Sequence, residues 1–295
     1  MTAPGGHRTS DYLRKIGVAP LPPTTCPFDP GYDLGTVQHH LEQSAHLMAM
    51  LKLSMACWLI ADEATSRRKI AAAAGRGVPA VAGGSPFEIA VVQRHLLDYL
   101  DLCADMGFTR IECGQGFTDT DLDPVATVAA AQQRGLEAQF ELGAKHAGSF
   151  TGATVDRLVA QGQSWLDAGV VDLVIEARES AAGVGLFAPD GSFDAHLADR
   201  FAIAFGLDRV VFEAPTKASQ FALLDHFGVG VRLCNVRLEE LLRVEIYRRG
   251  LHSDAFSKTN LRPPGGSGGT VPWPEVPRAD TTVAAGPPDE SVPVA

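Results

Sequence analysis

No run in this sequence approaches the roughly 18–20 consecutive apolar residues that a membrane-spanning helix requires. Prolines and glycines interrupt residues 1–25, so no apolar core of signal-peptide length forms there either. Both absences place the expectation on a cytoplasmic protein with no membrane contact. Cysteine is sparse: Cys26, Cys57, Cys103, Cys113 and Cys234 are odd in number and scattered. There is no C-x-x-C pair and no zinc-type Cys/His spacing, so they read as free thiols in a reducing compartment. Basic charge is short as well. Lys and Arg total 25 against 35 Asp and Glu, a formal net charge of −10. That balance argues against nucleic acid as a partner, although a local pocket can still be positive. Also missing are a P-loop, an H-E-x-x-H among the histidines, and a G-x-G-x-x-G after an early strand. The G-x-S-x-G at Gly265-Gly266-Ser267-Gly268-Gly269 has no strand before it and no helix after it, so it is not a nucleophile elbow.

What is present is an alternation. The 295 residues suffice for one large α/β domain with a sizeable core. Residues 1–25 read as a flexible N-terminal segment. Residues 257–295 read as a Pro/Gly-rich tail, expected to be disordered because it cannot bury enough apolar area to offset its ordering entropy. Between them, strand-like runs lie at 26–29, 48–53, 80–82, 109–113, 137–142, 172–175, 209–212 and 231–235. Helix-like runs fall near 36–46, 65–75, 87–106, 124–134, 152–168, 194–205, 217–227 and 237–249. Gly107, Gly135, Gly169 and Gly206 stand where helix C-caps belong. Eight βα units in single file predict an α/β fold, a (β/α)8 TIM barrel over residues 26–256. An open doubly wound sheet is the competing arrangement and lacks its glycine-rich first turn here.

In such a barrel the C-terminal strand ends share one mouth. Those ends carry Asp29, Lys52, Glu112, Glu141 with Lys145 beyond, Glu176 with Arg178, Glu213 with Lys217 beyond, and Asn235. Four glutamates in one mouth repel unless Lys52, Arg178, Lys217 or a hard divalent cation such as Mg²⁺ compensates them. Taken singly, each glutamate is as readily an ion pair or a helix cap. A charge at nearly every strand end is harder to explain that way. Arg178, between Glu176 and Glu179, suits bidentate binding of phosphate, carboxylate or sulfonate. Gly83-Gly84-Ser85 could offer backbone N–H groups to an anion. An ordinary turn, with Ser85 as N-cap and Glu88 closing a capping box, is the favoured reading of that stretch. His39, His40 and His46 fall in the first helix. His146, beside Lys145, is the one histidine that keeps a place at the mouth.

These stretches resemble the phosphosulfolactate synthase family. The matching residues are Asp29-Pro30-Gly31; Gly83 through Glu88; Gly107-Phe108 with Ile111-Glu112; Glu141 through Lys145; Glu176-Ala177-Arg178-Glu179-Ser180; Phe212-Glu213-Ala214-Pro215 with Lys217 and Gln220; Leu233 with Asn235; and Glu245 through Leu251 with Asp254. The resemblance spans residues 28–256. It implies a (β/α)8 barrel and a Mg²⁺-dependent addition of sulfite to phosphoenolpyruvate on the route to coenzyme M. It further implies Lys145 as general acid, with Arg178 and Lys52 beside it. Lys217, Gln220, Gly84, Ser85 and Asn235 would bind substrate, and Glu112, Glu141, Glu176 and Glu213 are the metal candidates, of which two or so would bind directly. A homo-oligomer is expected, as barrels of this kind often assemble.

The chain departs from the family pattern at Ser54, Met55, Ala56 and Cys57, at Gln115, at Ala144, and at Arg232 and Cys234, read here as a cluster at the mouth. Those changes keep three other readings open: a phosphoenolpyruvate-using synthase with a different nucleophile, a non-catalytic stress-protective relative, and an interaction protein acting through its tail.

Overall fold

The computed structural model describes residues 8–118 and 120–261. Eight strands, β1 (Thr25–Asp29), β2 (Leu51–Leu53), β3 (Ala80–Ala82), β4 (Arg110–Gly114), β5 (Glu137–Leu142), β6 (Asp172–Ile175), β7 (Val210–Glu213) and β8 (Arg232–Arg237), close into one barrel in sequence order. Each strand is parallel to the next, and β8 returns to β1. The fold is the (β/α)8 TIM barrel that the alternation predicts.

Strand alternation builds the barrel interior in layers. At the N-terminal end, Asp172 accepts Arg110 Nη1 at 2.5 Å and Arg232 Nη2 at 2.9 Å. Above this ion-paired floor, Cys26, Met50, Val81, Val174, Val211 and Cys234 pack into an apolar plug. The next inward positions are charged again, and they form the mouth. Arg232 is therefore not a mouth residue, as the sequence placed it; it opens β8 and belongs to the floor. All five cysteines are free thiols. Burial pushes the Cys26 thiol up to about 11, against the pull of Arg232, so it is inert at neutral pH.

The helices are α1 (Arg8–Lys15), α2 (Leu34–Ser44), α3 (Cys57–Ile60), α4 (Glu63–Ala74), α5 (Gly84–Val92), α6 (Leu96–Met106), α7 (Pro124–Gln132), α8 (Gly152–Ala168), α9 (Ala195–Phe205), α10 (Lys217–Phe227) and α11 (Leu241–Arg248). Six start on a side-chain oxygen that accepts a first-turn N–H: Asp33, Asp62, Asp123, Thr151, Asp194 and Thr216. Gly107 and Gly169 close α6 and α8 in the left-handed conformation. Among the described residues no helix is long and apolar enough to cross a membrane.

Three local differences from the sequence reading have physical causes. The run 87–106 is two helices, α5 and α6, because Arg94 turns left-handed (φ +60°) with no glycine or proline to signal it. Residues 8–15, read as part of a flexible lead-in, form α1, none of whose residues is buried. Residues 257–261, read as the start of the tail, pack on the barrel: Leu261 is buried and Lys258 pairs with Asp225 at 2.8 Å. The rest of that tail lies outside the described residues.

Gly162 in the middle of α8 tests the packing between helix and barrel. A Cβ there would stand 2.7 Å from Phe205 Cζ, 3.0 Å from Leu173 Cδ1 and 3.1 Å from Leu142 Cδ1. Helix propensity favours alanine by about 0.8–1.0 kcal/mol, but overpacking costs about 1–3 kcal/mol, and the three contacts make the second effect win. Gly162→Ala is expected to lower the urea midpoint. A raised midpoint would show that the helix moves outward at little cost.

Candidate active site

The C-terminal strand ends surround a cavity of about 300 Å³ lined by Lys52, Gly84, Ser85, Glu112, Glu141, Lys145, Glu176, Arg178, Glu213 and Asn235. Ten of the twelve residues singled out from the sequence thus meet in one pocket. Further lining comes from Phe28, Pro30, Ser54, Met55, Glu179, Pro215 and Arg237.

The inner wall pairs four buried carboxylates with two lysines. Lys52 Nζ lies 2.6 Å from Glu112 Oε1, 3.3 Å from Asn235 Oδ1 and 3.9 Å from Glu213 Oε1. Lys145 Nζ donates to Glu141 Oε1 at 2.7 Å and to Glu176 Oε2 at 3.0 Å. Glu112 also accepts Gly84 N–H at 3.2 Å and Gln139 Nε2 at 2.9 Å. Glu213 accepts the N–H groups of Ala177 and Arg178 at 2.8 and 2.9 Å, and Asn235 Nδ2 donates to its other oxygen. Glu176 Oε1 takes Arg178 N–H at 2.6 Å.

The titrations follow from this geometry. Burial opposes the charge on Lys52, but Glu112 and Glu213 outweigh it and hold the ammonium above its ordinary value. Burial likewise opposes ionisation of Glu112, and Lys52 reverses that, so this carboxyl sits below its ordinary value. Lys145 is raised in the same way: Glu141 and Glu176 overcome desolvation. The remaining carboxyls are under-compensated. Burial, then the charge of Glu176, push Glu141 up to about 8. Glu176 is raised by burial and then by Glu213; Glu213 is raised by burial and then by Glu141.

Backbone strain concentrates here. Of five non-glycine residues with positive φ among the described residues, Met55 (+50°), Arg178 (+56°) and Asn235 (+54°) line this cavity, and such conformations persist where the surroundings over-determine them. The loop carrying Arg178 is shaped by Gly185, since a Cβ there would meet Glu176 O at 2.0 Å. Gly143 (φ +134°) lets Glu176 approach, because a Cβ would stand 2.7 Å from Glu176 Cβ and 3.0 Å from Phe150 Cζ. Gly143→Ala is expected to displace the Glu176 side chain and cut turnover at least tenfold, more than it lowers stability. Unchanged kcat in a folded variant would show that Glu176 has no fixed place in the chemistry.

Lys217, Gln220, Asp29 and Gln115, all expected at the mouth, are elsewhere. Lys217 is half-exposed, pairs with Asp254 at 3.2 Å and lies over the Phe221 ring. Gln220 is fully buried: its Nε2 donates to Ala214 O and Glu240 Oε2, and its Oε1 accepts Arg243. It braces the β7–α10 turn against α11. Asp29 is also structural, bound to Lys69 at 2.8 Å and to the N–H groups of Gly31 and Tyr32. Gln115 is held by Thr120 O and Gln161, outside this cavity. The capping box at Ser85 does not form. Gly83 is the N-cap, and buried Glu88 instead accepts Gly116 N–H, Phe117 N–H and the Thr118 hydroxyl, anchoring the loop after β4. Gly84 N–H is already occupied by Glu112. His146 Nδ1 lies 3.4 Å from Arg178 Nη1, which also donates to Lys145 O.

Sequence reasoning missed Arg237. β8 runs two residues past its expected end and bulges at Asn235 (φ +54°), where its pairing with β1 jumps from Cys234 to Val236, so 235 and 237 face the cavity although strict alternation from Arg232 and Cys234 would turn 236 inward. Extending the strand by its two-residue period therefore gave no signal for Arg237.

A family model described as (2R)-phospho-3-sulfolactate synthase (ComA) matches residues 23–254. The phosphosulfolactate synthase of Methanocaldococcus jannaschii is 29% identical over 235 residues, covering 79% of this chain and 94% of that protein. Its counterpart in Methanothermobacter thermautotrophicus is 26% identical over 242 residues, covering 80% and 92%. Among solved structures, 3-dehydroquinate dehydratase from Geobacillus kaustophilus resembles the chain in fold alone, with a TM-score of 0.50 at 12% identity over 75% of this chain and 89% of that one.

Proposed function

The chain belongs to the (2R)-phospho-3-sulfolactate synthase family, and from that premise we propose that it adds sulfite to phosphoenolpyruvate in a Mg²⁺-assisted reaction. The observation that carries this reading is the cavity itself, with four buried carboxylates beneath two exposed arginines. Sulfite sulfur attacks the methylene carbon C3. The C2–C3 π pair moves toward the carboxylate, giving an enolate-like dianion, and a proton delivered to C2 completes 2-phospho-3-sulfolactate.

The donor set fits the ion. Glu112 and Glu213 have both oxygens on N–H donors, whereas Glu141 has only Lys145 and a hydrogen bond with Glu176. Glu141 would therefore be the first protein ligand to Mg²⁺; Glu176, whose oxygens are taken by Arg178 N–H and Lys145, would join it only where Lys145 gives way. Among the described residues no three acidic, histidine or cysteine side chains form a ready cage. Mg²⁺ does not require such a cage, being usually bound through one or two carboxylates, water and substrate oxygens. When bound, the ion would supply Lewis-acid stabilisation of the developing carboxylate charge.

Lys145 is the proposed proton donor. In the metal-free protein its two carboxylate partners hold its proton tightly. Engaging those carboxylates elsewhere would bring the ammonium toward a usable acidity. Glu141, protonated up to about pH 8 without the ion, would give up that proton on holding Mg²⁺. Lys52 orients Glu112 and Asn235 and offsets part of the carboxylate charge of the deep wall. Arg178, with no carboxylate partner among the described residues, binds an anionic group of the substrate.

The test is phosphorus NMR of protein, phosphoenolpyruvate, sulfite and Mg²⁺. A new phosphate-ester resonance that needs all components and is lost in Arg178→Ala supports the proposal. Consumption of phosphoenolpyruvate only with another nucleophile would replace sulfite, and no binding at all would leave this barrel outside the chemistry.

A further inference from the structure

We propose that Arg237 is a specificity residue for the phosphoryl group, forming with Arg178 a clamp at the rim of the cavity. The inference deepens the reading above and rests on it. It begins from the distribution of cations. Lys52 and Lys145, deep in the pocket, each lie within 3.0 Å of a buried glutamate. They are occupied by charges of the protein itself. Lys217 points out to Asp254. The lining cations left without a carboxylate partner among the described residues are Arg178 and Arg237, both exposed.

Arg237 is held in place without being neutralised. Its guanidinium lies 5.9 Å from the centroid of the Phe28 ring, itself a lining residue, and it stands near the Tyr32 side chain. Tyr32 itself donates to Glu239. An arginine packed through its plane keeps N–H donors for a tetrahedral oxyanion. Glu179 is the one exposed carboxylate in the lining and pairs with neither arginine. A dianionic phosphoryl group is repelled by the carboxylate-rich floor and drawn to this rim. The clamp therefore sets orientation: phosphate outward between β6 and β8, the enol carbons inward toward Lys145 and Glu141.

The test compares Arg237→Met, which keeps an apolar stem against Phe28, with Arg237→Lys and the parent protein. Removing a charged hydrogen-bond partner is expected to weaken phosphoenolpyruvate binding and raise its KM roughly tenfold to a hundredfold. The KM for sulfite is expected to stay within about twofold, and Arg237→Lys to recover part of the loss. Calorimetry with inorganic phosphate is expected to show the same loss, while pyruvate, which has no phosphoryl group, binds parent and variant alike. A parent that turns over with Arg237→Met unchanged in KM overturns the clamp and leaves the synthase reading standing. A parent that binds phosphate through Arg237 yet makes no product leaves the clamp and removes sulfite addition. A parent that binds neither phosphate nor phosphoenolpyruvate overturns both.

Discussion

Lys145→Ala is expected to lower kcat by roughly a hundredfold to ten-thousandfold, the range for removal of a positioned general acid. The same change strips the cation from two buried carboxylates, Glu141 and Glu176, whose side chains are 4% and 1% exposed. Breaking a buried pair costs about 3–5 kcal/mol when the remaining charge cannot escape. Here protonation offers an escape, because Glu141 is already pushed up to about 8 with the lysine present. The variant should therefore fold at mildly acidic pH and lose stability steeply toward alkaline pH. It should also bind Mg²⁺ at least as tightly as the parent, since the carboxylates have lost their competitor. Kinetics with calorimetric Mg²⁺ titration checks both statements. A folded Lys145→Ala protein with full turnover removes the lysine from the proton-transfer step. Lost turnover together with lost Mg²⁺ binding would mean that the lysine only holds the carboxylates in place.

A second large effect is expected from pH and metal together. The Glu141 carboxyl titrates near its ordinary 4.5 in the unfolded chain and near 8 in the folded protein. Between those values the folded state holds a proton that the unfolded state has released. Stability from this group is thus complete below about 4.5 and is lost as the pH rises through about 8. Glu176 and Glu213 are shifted the same way, by burial first. Glu112 is shifted downward and so acts only below its ordinary value. From about pH 5 to about pH 9 the metal-free protein should lose on the order of 3–5 kcal/mol through Glu141. Millimolar Mg²⁺ should restore most of it, because a cation bound only to the folded, ionised site adds RT ln(1 + [L]/Kd). Urea unfolding at both pH values, with Mg²⁺ or a chelator, measures this. Glu141→Gln should flatten the pH slope. A slope that survives both Mg²⁺ and Glu141→Gln would place the titrating groups outside the cavity.

Much of the molecule was legible before any coordinate. Three strands and two helices have the bounds read from the sequence, at 80–82, 137–142, 172–175, 152–168 and 217–227. Buried parallel strands and capped helices announce themselves locally. The charge at successive strand ends was legible for the same reason, since a two-residue period and a closed parallel barrel leave only one mouth. Ten residues converge there as the pattern requires.

What the sequence could not decide is the course of the chain once it leaves a strand. Lys217 and Gln220 sit in a stretch that matches the family pattern, yet each direction is set by the docking of α10, one toward Asp254 and Phe221, the other inward to Glu240 and Arg243. Glu88 reads as a local cap and instead reaches the N–H groups of Gly116 and Phe117. Arg232 reads as a mouth residue until strand register puts it beside Asp172 on the floor. Composition and periodicity determined the barrel and the acidity of its mouth, because both rest on interactions within a few residues. Which cations neutralise that mouth, and which stay open to an anion, was decided only by tertiary packing, because charge compensation acts between side chains far apart in sequence.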